Sequence, residues 1–278
     1  MIRFLRIGKF RFLKRFRMAV VLIKGAFNVV FFEHYHYFVF CLALALVQFI
    51  AFSFTGLIHS KLKLSFLLSE SLSGLNYFEI LFESIWNLNT PQLLTAAILL
   101  FIQLFLIFII SSATSYYVMQ KLNHEKQSIK KSFLNALNKI RPLGIFACLE
   151  VIIMLLCAFL GIAGSIAYFL WQLLTVFNIQ IITFESINIL AVFLKSLRYF
   201  KTNITNILSI DIALELFLIA MALFGYFFYQ KTIVEPISLL ADNYAIAILI
   251  LYVMATVNLI EVVAFTFFYN IINKGTRV

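Results

Sequence analysis

Apolar positions in this chain come in long blocks, not in the short alternating runs that mark half-buried strands. Six blocks stand out, at about residues 37–58, 91–119, 143–162, 165–184, 207–229 and 244–269. A helix rises ~1.5 Å per residue, so ~20 apolar residues cross the ~30 Å hydrocarbon core of a bilayer. Each block is long enough to do so. The third and fourth run together: residues 143–184 hold a single charge, Glu150. As one helix they would reach roughly 63 Å, about twice the core. Two spans joined by a tight turn use that length, and Gly161, Gly164 and Ser165 mark the turn. Cys157, Gly161 and Ser165 also fall four apart, a small-residue stripe that lets helices approach closely.

Polar positions between the blocks are themselves patterned. Residues 168–201 make one continuous unit. Its first half is apolar and ends at Glu185. In its second half Ile187, Leu190, Phe193, Leu194, Leu197 and Phe200 share one helical face, and Lys195, Arg198 and Lys201 mark the other. A similar amphipathic helix is predicted around residues 72–86, with Glu79 and Glu83 on its polar side. In the basic segment from Lys121 to Arg141, Leu134, Leu137 and Ile140 form an apolar side. Residues 1–36 open with a basic segment carrying Arg3, Arg6, Lys9, Arg11, Lys14, Arg15, Arg17 and Lys24, interleaved with Phe and Leu. No compact apolar core with a small-residue cleavage site follows it, so a basic interfacial helix is expected over a cleaved signal; an Arg-rich transit sequence is the alternative.

Composition sharpens the class. The chain is 63% hydrophobic and 12% charged, against about 45–50% and about 25% for soluble domains. The expected fold is therefore all-α, a polytopic membrane bundle of six transmembrane helices with additional interfacial amphipathic helices. The net charge of +10 would suggest nucleic acid in a soluble protein. Here the basic residues flank apolar blocks, so anionic membrane lipid is the expected partner and nucleic acid is not. A membrane-protein partner or self-association stays open. With the N-terminus inside, 19 of the 22 basic residues fall on the cytoplasmic side. That asymmetry predicts six spans with both termini cytoplasmic, in a bacterial inner membrane.

Candidate chemistry lies in the charges inside spans, which are costly there and so are default functional suspects. These are Glu150, Glu215 and Glu261, with Asp211 one turn before Glu215 and Asn258 on the face of Glu261. They would either form a polar cluster that binds a proton, a cation or a polar solute, or hydrogen-bond across helices as packing glue. Arg3, Arg6, Lys9, Arg11, Lys14, Arg15, Arg17, Lys130, Lys131, Lys195, Arg198 and Lys201 are the candidate anionic-lipid contacts. Gln172, Thr175 and Thr183 share a polar face of the fourth span, and Trp171 is expected to anchor at the membrane interface. Tyr35 and Tyr37 suggest an aromatic belt at the start of the first span. Glu33-His34-Tyr35-His36 looks like a metal site, but helical neighbours two apart point about 200° apart, so no metal or other cofactor is expected. No H-E-x-x-H, G-x-S-x-G or Gly-rich phosphate loop occurs, which argues against an enzyme. The cysteines Cys41, Cys148 and Cys157 read as small packing residues.

The unit at residues 168–201 resembles a pattern found in prokaryotic six-span membrane proteins of unknown function and in the related membrane domain of some glycerophosphodiester phosphodiesterases. There a Trp-bearing span runs to a Glu and a basic helix follows. Here Trp171 begins the stretch, Ile181-Ile182-Thr183-Phe184-Glu185 ends it, and Ser196 of the Lys195-Ser196 pair lies eleven residues after Glu185. The basic helix ending at Arg141-Pro142 is also similar. Asn188-Ile189 stands where the family has Gly-Pro, and Gln180 or Ile181 where it has Pro. The resemblance covers about residues 95–230. It implies the six-span architecture and no particular reaction.

The charge asymmetry makes a topological prediction. Reporter fusions to either terminus should be active on the cytoplasmic side, and one inserted near Lys61 on the opposite side. Termini that report on opposite sides would refute an even number of spans.

Overall fold

Helices account for every regular element that the computed structural model describes, over residues 16–33, 35–54, 90–185, 188–232 and 244–275. Residues 16–28 form α1, which ends in a π-helical turn at Val29–Glu33. There follow α2 (Tyr35–Phe54), α3 (Thr90–Leu122), α4 (Ile129–Asn138), α5 (Ile140–Ala158), α6 (Gly161–Thr175), α7 (Asn178–Phe184), α8 (Ile189–Thr232) and α9 (Tyr244–Gly275). Among the described residues four stretches are long and apolar enough to cross a membrane: Ala97–Leu122, Ile140–Cys157, Ile166–Phe184 and Ala255–Lys274.

The outer surface is that of a membrane bundle. On α3 the exposed Leu94, Ile98, Ile102 and Leu106 recur every fourth residue, and on α5 Ile145, Leu149, Ile152 and Leu156 do the same at three and four. Such stripes lie on one helical face, and water would not tolerate several of them together. Hydrocarbon satisfies them. The protein is thus an integral membrane protein with a helical bundle fold. The inner faces pack tightly. α3 is the central post and packs against α2, α4, α5, α7 and α9. Tyr37, Phe40 and Tyr117 meet where α2 lies on α3, and Phe40 also stacks on Phe133 of α4.

Local sequence explains the ends of several helices. α3 closes with a Schellman motif. The Glu125 N–H donates to the Gln120 carbonyl at 2.8 Å and the His124 N–H to the Lys121 carbonyl at 3.0 Å. His124 takes the left-handed position usually filled by Gly, with φ 57°. Ser128 caps α4: its hydroxyl accepts from the Lys131 N–H at 3.3 Å, while its own N–H donates to Gln120 Oε1 at 3.1 Å. Pro142 lies in the first turn of α5, where its missing N–H is not needed.

Several expectations are corrected in detail. The turn between the third and fourth blocks is at Phe159–Leu160, and Gly161 already begins α6. The glycine that matters is Gly164. A Cβ there would lie 1.7 Å from the Cys157 carbonyl oxygen, so only Gly lets α6 pass so close to the end of α5. The fourth block is no single rod, because it breaks at Val176–Phe177 into α6 and α7. Conversely, the surface helix after Glu185 and the fifth block form one unbroken helix, α8, of 44 residues. At ~1.5 Å per residue it reaches about 66 Å. Its first turns do not lie apart on a surface. Trp171 stacks on Phe193, Ser196 donates to the Leu174 carbonyl at 2.8 Å, and Phe177 meets Tyr199 edge to face. Each pair is separated by 22 residues, so this part of α8 runs parallel to α6. α1 packs one face inward: Ala19, Ile23, Ala26 and Val30 are buried, while Arg17 and Lys24 are exposed on another face. Tyr37 is fully buried, not part of an aromatic belt. The amphipathic helix expected around residues 72–86 lies outside the described residues, as do residues 1–15.

Gly164→Ala should therefore weaken the α5–α6 hairpin by about 1–3 kcal/mol, the usual cost of overpacking. Gly144→Ala is the control, since a Cβ there meets the Phe105 ring at an ordinary 3.5 Å. Thermal unfolding in detergent should separate the two, and equal midpoints would contradict the packing.

Candidate functional site

Two carboxylates organise the polar interior. Glu150 lies on α5, is 2% exposed, and turns toward α6. The Tyr168 hydroxyl donates to its Oε1 at 2.9 Å, the Trp171 indole N–H to its Oε2 at 2.7 Å, and the Gln172 amide to Oε1. All three donors sit within one stretch of α6, on positions that share a helical face. This stitches the two arms of the hairpin together. Trp171 is thus a hydrogen-bond donor stacked between α5 and Phe193 of α8, not an interface anchor.

Glu185 is the second. It terminates α7 in extended backbone, with its N–H donating to the Ile181 carbonyl at 2.8 Å. The Lys195 ammonium of α8 reaches both carboxylate oxygens at 2.6 Å, and the Tyr269 hydroxyl of α9 donates to Oε1 at 2.5 Å. The Glu185 carbonyl accepts from Lys139 Nζ at 3.3 Å, and Asn135 of α4 donates to the Thr183 carbonyl at 3.5 Å. The free carbonyls at the end of α7 thus receive a cation and an amide from the α4–α5 corner, which also suits the negative end of a helix. Around this node Phe177, fully buried, touches the rings of Tyr199, Phe265, Phe268 and Tyr269. The Lys195 ammonium also lies 5.6 Å from the Tyr199 ring centre. Burial alone would lower the Lys195 pKa, but hydrogen bonding to Glu185, its negative charge and Tyr199 hold it above the ordinary lysine range.

Beside the Glu185 node runs a seam of small polar side chains. Ser111, Ser112, Thr114 and Ser115 of α3 are all buried. Ser112 pairs with Thr183 of α7 at 2.9 Å, and Ser115 with Thr266 of α9 at 3.0 Å. On α7, Asn178 and Gln180 are buried, and their amide oxygens have no partner among the described residues.

The remaining candidates fall elsewhere. The hydrogen-bond partners of Glu150 all come from α6, so neither Asp211 nor Glu261 is among them. Asp211 on α8 and Glu261 on α9 are half-buried, and Asn258 is exposed. Glu215 belongs to α8, and its side chain lies outside the described residues. Of the basic candidates, Arg17, Lys130, Lys131, Arg198 and Lys201 are exposed; Lys131 makes an exposed ion pair with Glu125 at 3.7 Å. Lys195 is committed to Glu185, an internal partner. Arg3, Arg6, Lys9, Arg11, Lys14 and Arg15 lie outside the described residues. No group of three His, Cys, Asp or Glu suited to a metal occurs among the described residues.

Tyr168, Lys139, Tyr199 and Tyr269 carry these sites but gave no motif. The run Ser111-Ser112-Ala113-Thr114-Ser115 was the available signal for the seam, because five small residues together inside an apolar block mark a close helix contact. No protein-family model matches the chain, and neither a characterised protein nor a solved structure does.

The Glu185 node makes a pH prediction. Because the Lys195 pKa is raised on folding, its stabilisation is fully present below the unfolded lysine value of about 10.4 and is lost as pH rises through the folded value. Melting of the wild type should fall in that alkaline range. Lys195→Arg should flatten the fall, since a guanidinium keeps its charge. Glu185→Gln should lower the melt at neutral pH by the equivalent of about 1–3 kcal/mol, as for hydrogen bonds to charged groups. Identical alkaline profiles for wild type and Lys195→Arg would exclude the pair as a source of stability.

Proposed function

We propose that this protein is a multi-pass component of a bacterial inner membrane that organises anionic lipid or a partner protein and catalyses no reaction. Both termini are assigned to the cytoplasm by the charge asymmetry. The observation that carries this reading is the pairing of exposed cations with exposed apolar side chains on the same elements. On α4 and the start of α5, Lys130, Lys131 and Arg141 flank Leu134, Leu137 and Ile140, each of the three apolar residues about half exposed. On α8, Arg198 and Lys201 follow Leu190, Leu194 and Leu197. Such surfaces hold their apolar face in the acyl region and their cations at anionic headgroups. The internal carboxylates, by contrast, already have donors, as expected of structural ties. The resemblance to six-span proteins of unknown function supports the architecture within this proposal and adds no reaction.

A second reading is transport of a proton, a cation or a small polar solute through the intramembrane carboxylates. It is favoured by one observation: the broken α6–α7 stretch with the buried amide oxygens of Asn178 and Gln180, since interrupted helices line many transport sites.

Purification in mild detergent with lipid and protein identified by mass spectrometry decides between them. The first reading expects anionic phospholipid or a stoichiometric partner to be retained. A variant with Arg3, Arg6, Lys9, Arg11, Lys130 and Lys131 changed to Gln should retain several-fold less. Unchanged retention would overturn the reading, and a solute flux abolished by Glu150→Gln in a variant of unchanged melting would establish the second.

A further inference from the structure

Where α1, α8 and α9 come together, they leave a groove of ≈ 430 Å³. Its two kinds of lining are separated. Met18 of α1 and Phe268, Ile271 and Ile272 of α9 supply an apolar side. Arg198 with Thr202 and Asn206 of α8 supplies a polar one. This division follows from the sequence: Arg198, Thr202 and Asn206 recur every fourth residue and so form a stripe along α8. Arg198 is exposed, and the ion pairs among the described residues do not involve it. Ile271 is 50% exposed although its neighbours Phe268 and Tyr269 are buried in the aromatic cluster around Phe177. An available guanidinium thus stands beside an open apolar floor. Lys201, one turn further along α8, is exposed as well.

We infer that this groove is a site for one anionic phospholipid, with its phosphate on Arg198 and an acyl chain along Met18, Ile271 and Ile272. The inference rests on the lipid-organising reading above and gives it a location. Charge complementarity selects the occupant. A guanidinium binds phosphate oxygens in a two-pronged arrangement, and the Asn206 side chain offers a further polar contact to a headgroup; the Thr202 hydroxyl is already donated to the Arg198 carbonyl. An apolar peptide would leave the guanidinium uncompensated, and a water-soluble phosphate would leave the apolar side bare. Basic pockets between membrane helices hold anionic headgroups on the same physical grounds. The volume lies within the usual range of a small-ligand site, ~300–1,000 Å³. Because Met18 comes from α1, the groove also couples the N-terminal helix to the first half of α8 and the end of α9. Lipid in it would bridge the three.

The test is native mass spectrometry of the full chain, released from detergent containing phosphatidylglycerol or phosphatidylcholine. The wild type should carry one phosphatidylglycerol that survives activation, and phosphatidylcholine should not replace it. Arg198→Gln should reduce that occupancy at least ten-fold, and Arg198→Lys less. A bulky Ile271→Trp variant should also exclude the lipid while keeping the charge, and melting curves confirm that each variant is folded. Retained occupancy in both Arg198→Gln and Ile271→Trp would overturn the groove site while leaving the broader lipid reading intact. A wild type that holds no anionic lipid at all would overturn both.

Discussion

The structure depends on how the end of α7 is held. A helix of seven residues cannot stand alone, and its last carbonyls need donors that apolar neighbours cannot supply. At Glu185 three other elements meet that need. Lys195 of α8 and Tyr269 of α9 take the carboxylate, and Lys139 from the α4–α5 corner takes the carbonyl. The same residue therefore closes one helix, neutralises a charge and fixes the relative positions of four parts of the bundle. The ring cluster around Phe177 packs against this polar node, whose Lys195 and Glu185 side chains stay partly exposed.

Inside an apolar solvent, burial of Leu and Ile provides little preference for one helix packing over another. Specificity has to come from close approach and from hydrogen bonds. Both are visible here. Gly164 lets α6 approach the Cys157 carbonyl, and Glu150 then ties the hairpin with donors from α6. Ser112 and Ser115 on the central α3 reach Thr183 and Thr266 on two different partners. The small polar residues thus decide which helices adjoin, while the large apolar ones fill space and face lipid.

Charge is divided between two tasks. Lys139 and Lys195 are used inside to complete α7. Arg17, Lys130, Arg198 and Lys201 are left at the surface, next to exposed apolar side chains. The separation is what links architecture to the proposed role. A cation already paired with a carboxylate has little to offer a headgroup, whereas Arg198 above the groove has no such competitor among the described residues.

The sequence by itself determined the fold class and the membrane setting, because both follow from the length and apolarity of blocks, a property local to each helix. It also located α2, α3, α5 and α9 and singled out Glu150 as a buried polar group. Only the tertiary structure decided what those groups touch. Lys195 and Glu185 lie ten residues apart across a helix end, Tyr269 another 84 residues on from Glu185, and no helical periodicity connects such positions. The break at Val176–Phe177 was also hidden, since an apolar run has the same composition whether straight or bent. So was the packing of α8, because the apolar face legible in the sequence carries Leu190, Leu194 and Leu197, which are exposed, whereas Val192, Ser196 and Tyr199 are buried against a neighbour. Here that neighbour is α6, running parallel, and the physical reason is local: Phe193, Ser196 and Tyr199 find an aromatic ring, a free carbonyl and a buried Phe along its length.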